Sequence, residues 1–267
     1  NNPDVTINFL APAVGYNEGQ QQILRSAVTG NLPDVYFSGY NLTTELVEAL
    51  APRDQIVDLA PFIEAEGGQT FLDENFAPSM LALGVVDGKQ YGLPVNASSP
   101  IMYVNADLVR AAGGDPENMP TTFPELIELA KTIHEADPRV AGMSYDIAGW
   151  PDDWLWQAMV YQQGGKLIDT ETNQVAFDNE IGLNGLTMIR QMAAEAGAPT
   201  FDWDQARQQF GAGMTGFLFS TPAHVQTIEG LVGDRFELIT TTFPLDDPEN
   251  GGVPTGGNSA VMLTQDE

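Results

Sequence analysis

Apolar and polar positions alternate from Val5 to Leu10 (VTINFL), the period of a half-buried strand. From Tyr16 to Val28 the period changes to that of a helix, closed by Gly30 and Pro33. Asp34 to Phe37 is short enough for a strand, and Thr43 to Leu50 is a second helix, ended by Pro52. This order of strand, helix, strand and helix predicts parallel sheets with crossover helices. In Val85 to Tyr91, Asp87-Gly88 offers the positive φ angles of a tight hairpin.

The later half repeats the α/β grammar. Thr122-Phe-Pro-Glu125 has the spacing of a capping box, and the helix after it carries Leu126, Leu129, Ala130 and Ile133 on one face up to Asp137-Pro138. Asp152 to Gln163 is a helix beginning in a tryptophan-rich turn. Asn179 to Ala196 predicts a helix with Leu186, Ile189 and Ala193 inward and Gly197 as its stop. Gly216 to Phe219 and Phe236 to Ile239 are continuous apolar runs, as in strands covered on both faces. The chain ends just after another strand-like stretch, Ala260 onward. No Ser/Pro-rich linker divides the halves, so two lobes joined by interwoven crossings fit better than two separate domains.

Composition narrows the chemistry. The 267 residues hold 10 basic and 37 acidic side chains, a net charge of −27, with 43% apolar residues. That apolar share supports folded cores rather than a disordered acidic chain. The charge repels phosphate backbones and anionic lipid, so nucleic acid and peripheral membrane surfaces are not expected as partners. Lys89, Lys131 and Lys166 are the only lysines. This balance suits high salt, where screening blunts self-repulsion, and equally suits ordinary bacterial acidity. Cysteine is absent, which removes disulfides, thiolate nucleophiles and cysteine metal sites. No apolar run reaches the ~18 residues of a membrane span.

Several motifs carry little. Gly211-Ala-Gly-Met-Thr-Gly216 spells GxGxxG, but it lies after a helix and before a strand, the reverse of a dinucleotide loop. It predicts a helix-to-strand turn instead. His134 and His224 stand alone, without zinc-site spacing, so neither a metal nor a cofactor is expected. The pairs Asp152-Asp153, Asp202/Asp204 and Asp246-Asp247 could serve a glycosidase, or could be solvated loop charge. The cluster Trp150, Trp154 and Trp156 with those first two acids is more pointed. Indole faces stack on sugar C–H surfaces, and carboxylates accept hydroxyl hydrogen bonds. Core packing is the competing reading. Trp154 and Trp156 cannot be equally buried on one helix, since residues two apart point apart.

The run from Tyr91 to Asp107 (YGLPVNASSPIMYVNAD) resembles the extracellular solute-binding proteins of ABC importers, in the family taking up sugars and glycerol 3-phosphate. Pro120 to Leu126, Gly164-Gly165, the turn from Phe210 to Phe217 and the return crossing Gly256 to Ala260 match further motifs in order and spacing. The resemblance implies a two-lobed α/β fold, each lobe a mainly parallel sheet flanked by helices. Residues 1–104 with 258–267 would form one lobe and 105–257 the other, with hinge crossings near 103–107 and 254–259. It implies ligand contacts at Tyr16, Tyr40, Ser98, Trp150, Asp153, Trp154, Ser220, Thr221 and Gly257. Glycerol-3-phosphate binders often carry an acid where Tyr40 stands, which turns the expectation toward a neutral sugar or polyol. It further implies a periplasmic or extracellular monomer, no catalytic residue, and delivery of ligand to a membrane permease. The ends of the chain then read as those of an interior portion of a longer protein. Three other readings stay open: a glycerol-3-phosphate or glycerophosphodiester binder of the same family, a secreted glycosidase using Asp152 or Asp153, and a structural surface protein.

Overall fold

The computed structural model describes residues 5–145 and 153–263, with the side chain of Asp153 outside that set. Its principal strands are β1 (Val35–Gly39), β2 (Gly92–Ser98), β3 (Ile101–Asn105), β4 (Ala141–Ser144), β5 (Thr215–Ser220), β6 (Leu238–Thr242) and β7 (Gly256–Met262). The principal helices are α1 (Tyr16–Thr29), α2 (Tyr40–Leu50), α3 (Phe123–Ala136), α4 (Asp153–Tyr161), α5 (Glu180–Ala194), α6 (Trp203–Gly211) and α7 (Val225–Val232).

The chain divides into two compact units, Asn1–Ala97 with Gly256–Glu267, and Ser98–Thr255. The expected boundaries at 104/105 and 257/258 therefore move to 97/98 and 255/256. The first moves because β3 hydrogen-bonds to β5 and β6 of the second unit.

The first unit holds a three-stranded sheet in the order β1-β7-β2. Its core gathers Ile23 and Ala27 of α1, Leu46, Val47 and Leu50 of α2, and Val261 of β7. Gly30 closes α1 in the left-handed region (φ 70°), and Asp87-Gly88 turns a two-stranded ribbon with both φ angles positive. Val5 to Leu10 departs from expectation. It forms no strand, and Ile7 and Phe9 are largely exposed. Alternation marks an amphipathic segment, but a strand also needs a neighbour for its N–H and C=O groups.

The second unit holds a four-stranded sheet in the order β6-β3-β5-β4. Side chains alternate across it. Met102, Val104, Phe217 and Phe219 join the core built with α3, α4 and α5, while Tyr103 and Leu218 face Ala206 and Phe210 of α6 and Ile228 of α7. Both faces are thus covered, so β5 is buried throughout.

The expectation of mainly parallel sheets is corrected. β4 and β5 are parallel, but β3 pairs antiparallel with β5 and β6, and β1 pairs antiparallel with β7. Sheet direction depends on where the chain re-enters, at β3 and β7, which a local β–α–β–α pattern does not report. Two local expectations are corrected as well. Thr122 does not cap α3. Its hydroxyl bonds Glu125 at 3.1 Å, and Asp246 accepts the Phe123 N–H at 2.8 Å instead. On α5, Leu186 is exposed and Ala193 points outward. The inward face is Gly182, Gly185, Met188 and Met192, because glycine lets α5 approach Trp156 and Met159 of α4 closely.

Candidate functional site

Tyr16, Tyr40 and Gly257 come together in the first unit. Tyr16 and Tyr40 are the first residues of α1 and α2, and both helices start after a glycine with no side-chain cap. Two asparagines join these parts. The Asn258 amide nitrogen donates to the Tyr16 phenol at 2.8 Å, and its backbone N–H donates to Asn96 Oδ1 at 3.1 Å. The Tyr40 phenol donates to the Asn96 carbonyl at 3.0 Å. Burial, then the neighbouring Tyr16, raises the Tyr40 phenol above its ordinary range, so it stays protonated and donates. Gly257 has φ 112°, and a Cβ there would lie 2.4 Å from the Asn96 carbonyl oxygen. That close approach requires glycine. The cluster is neutral and holds both donors and acceptors. Asn258 Oδ1 is buried without a partner among the described residues.

Ser98, Ser220 and Thr221 come together in the second unit. Ser220 ends β5, and Thr221 caps the short turn after it by accepting the Ala223 N–H at 3.2 Å. The Ser98 hydroxyl meets the Thr221 hydroxyl. Tyr103 of β3 donates to the Thr221 carbonyl at 2.8 Å. Burial, with Glu229 second, pushes the Tyr103 phenol up to about 12. Ser220 is fully buried, and its hydroxyl has no partner among the described residues. All three lie at carboxyl ends of strands or just beyond, where open α/β sheets bind ligands.

Trp154 lies on α4, half-buried against the larger core, with its indole N–H buried and unpartnered among the described residues. Trp156 packs edge-on against Phe177 at 5.5 Å. Trp150, Asp152 and the Asp153 side chain lie outside the described residues. The other acid pairs have structural partners. Asp202 forms a capping box with Gln205, Asp204 pairs with Arg207 at 2.6 Å, Asp246 holds Phe123 and Gln162, and Asp247 closes the turn to Asn250. The GxGxxG run is the predicted turn from α6 to β5, with Gly213 at φ 78°.

The sequence reading missed Asn96 and Asn258, although both lie within the motifs that carried the resemblance. It also missed the group Trp203, Arg207 and His224 beside the Thr221 turn. The Trp203–Arg207 spacing of four residues is one signal that could have pointed to it.

Among the described residues, no helix is long and apolar enough to cross a membrane. The family model described as bacterial extracellular solute-binding protein matches residues 1–266. The sn-glycerol-3-phosphate-binding periplasmic protein UgpB of Rhizobium meliloti (strain 1021) is 34% identical over 102 residues, which are 38% of this chain and 24% of that protein. Two solved structures share the fold. UgpB from Mycobacterium tuberculosis, in complex with glycerophosphocholine, superposes with a TM-score of 0.83 at 17% identity, covering 99% of this chain and 66% of that one. Maltose-bound MalE3 of T. maritima gives 0.81 at 19% identity, covering 98% and 65%. The chain thus spans under two thirds of these structures' length.

Proposed function

The chain belongs to the bacterial extracellular solute-binding proteins, and from that premise we propose that it captures a neutral carbohydrate or polyol for an ABC uptake system. The observation that carries the ligand class is the neutral cluster of Tyr16, Asn258, Asn96 and Tyr40. Phenols and amides offer donors and acceptors together, as do sugar hydroxyls, and no charge in the cluster selects an ion. The Ser98–Thr221 hydroxyl pair has the same character.

The proposed ligand contacts are Tyr16, Tyr40 and Gly257 of the first unit and Ser98, Trp154, Ser220 and Thr221 of the second, with Trp150 and Asp153 as further candidates from the family resemblance. The protein with its ligand bound is then recognised by a membrane permease. The protein acts outside the cytoplasmic membrane, as a monomer, and breaks no bond.

A second reading is favoured by the 34%-identical relative, a glycerol-3-phosphate binder by name. A phosphate group would call for arginine or a helix N-terminus near it. Calorimetric titration with maltose, glucose, glycerol, sn-glycerol 3-phosphate and glycerophosphocholine decides. Binding of a sugar or polyol supports the proposal. Binding of the phosphorylated compounds alone moves it to the second reading, and binding of none sinks both. A glycosidase would reveal itself by hydrolysing aryl glycosides, with activity abolished in Asp153→Asn.

A further inference from the structure

Arg207 of α6 keeps its side chain only 12% exposed. Its guanidinium is engaged on three sides. Nε donates to the Trp203 carbonyl at 3.1 Å, Nη2 to Asp204 Oδ1 at 2.6 Å, and Nη1 to His224 Nδ1 at 2.8 Å. It also lies 5.9 Å over the Trp203 ring, which itself sits 5.7 Å from the His224 ring. A guanidinium has donors only, so Nδ1 of His224 must carry a lone pair. The ring is therefore neutral, with its proton on Nε2.

His224 ends the turn that presents Thr221. Its N–H donates to the Thr221 carbonyl at 3.2 Å, the same oxygen that takes the Tyr103 phenol. The Arg207–His224 bond thus ties α6 to the residues that hold the Thr221 hydroxyl against Ser98.

We infer that Arg207 and His224 form a pH-sensitive latch that positions the Thr221–Ser98 hydroxyl pair, so that acidification loosens these ligand contacts. The inference rests on the reading of those hydroxyls as ligand contacts. Protonation would set N–H against N–H and place a second positive charge beside the guanidinium. Burial first, then Arg207, lowers His224 from its ordinary 6.5, while Asp204 opposes them. The other ionisable groups on the packed elements are Glu229 on α7 and the Tyr103 phenol on β3, which interact with each other. Because the folded-state pKa is depressed, the neutral ring contributes fully above 6.5. The contribution is lost as pH falls through the lower folded-state value.

The test combines ring nitrogen NMR of the whole chain with calorimetry against maltose and glycerophosphocholine, between about pH 7.5 and 5. NMR should show the Nε2–H tautomer and a midpoint below 6.5. Affinity should fall about tenfold over that range, in step with His224. His224→Asn keeps an uncharged acceptor for Arg207, so its affinity should stay flat with pH. Arg207→Gln should bind more weakly throughout. An Nδ1–H tautomer, a midpoint at or above 6.5, or a pH dependence that survives in His224→Asn would overturn the latch. If neither compound binds, the functional reading fails by itself. The latch is then read from the Thr221 and Ser98 side-chain shifts, which should follow the His224 titration and would refute it by staying still.

Discussion

β5 of the second unit is buried over its whole length, whereas β1 of the first unit leaves Val35 49% and Phe37 46% exposed. Both are apolar runs of similar length, so composition does not separate them. Neighbours do. β5 has a strand on each side and helices on both faces, while among the described residues β1 pairs with β7 alone. Val5 to Leu10 is the extreme case, apolar at alternate positions and mostly exposed. The contrast teaches that an apolar pattern states what a segment could bury, and the surrounding sheet decides what it does bury.

The largest test of this contrast is a pair of truncations. Phe219→Ala removes a ring packed against Phe123 and Phe243 and should cost about 3–5 kcal/mol. Phe37→Ala should cost under about 1 kcal/mol, since half its surface already meets water. Urea unfolding of the two variants checks the ranking, and equal losses would break the comparison.

Next come two glycines. Gly257→Ala in the first unit meets both a positive φ and the Asn96 carbonyl, and should cost about 2–3 kcal/mol with loss of ligand affinity. Gly213→Ala in the second unit meets only its positive φ, the nearest atom being 3.8 Å away, and should cost about 1 kcal/mol. Thermal unfolding should separate them in that order.

A third test concerns the start of α3. Asp246→Ala should cost about 1–2 kcal/mol, because it removes the acceptor for the Phe123 N–H and for Gln162. Thr122→Ala should cost less than half of that. Ranking them the other way would restore the capping box. The smallest effect is expected at Phe9→Ser, within about 0.5 kcal/mol of wild type, with reduced binding of an apolar dye.

Much of the fold was legible where the signal is local. Gly30 and Asp87-Gly88 need particular dihedrals, and the reversed order around Gly213 separated a turn from a nucleotide loop. Sheet direction and the α3 cap were not legible, because the residues that decide them, β7 and Asp246, lie more than a hundred positions away in the chain. At the site, Tyr16, Tyr40 and Gly257 were named from family resemblance. Asn96 and Asn258, which join them, carry no local pattern as polar residues inside strands. Arg207 and His224 come together only through the packing of α6 against the turn after β5.

The proposal of a neutral ligand names Tyr40 in the first unit and Thr221 in the second as contacts. Calorimetry of the wild type beside Tyr40→Ala and Thr221→Ala, one variant in each unit, tests it most directly. The account predicts that a sugar or polyol binds the wild type and that each variant weakens it about tenfold or more. Unchanged affinity in either variant, or binding confined to phosphorylated compounds, would contradict it.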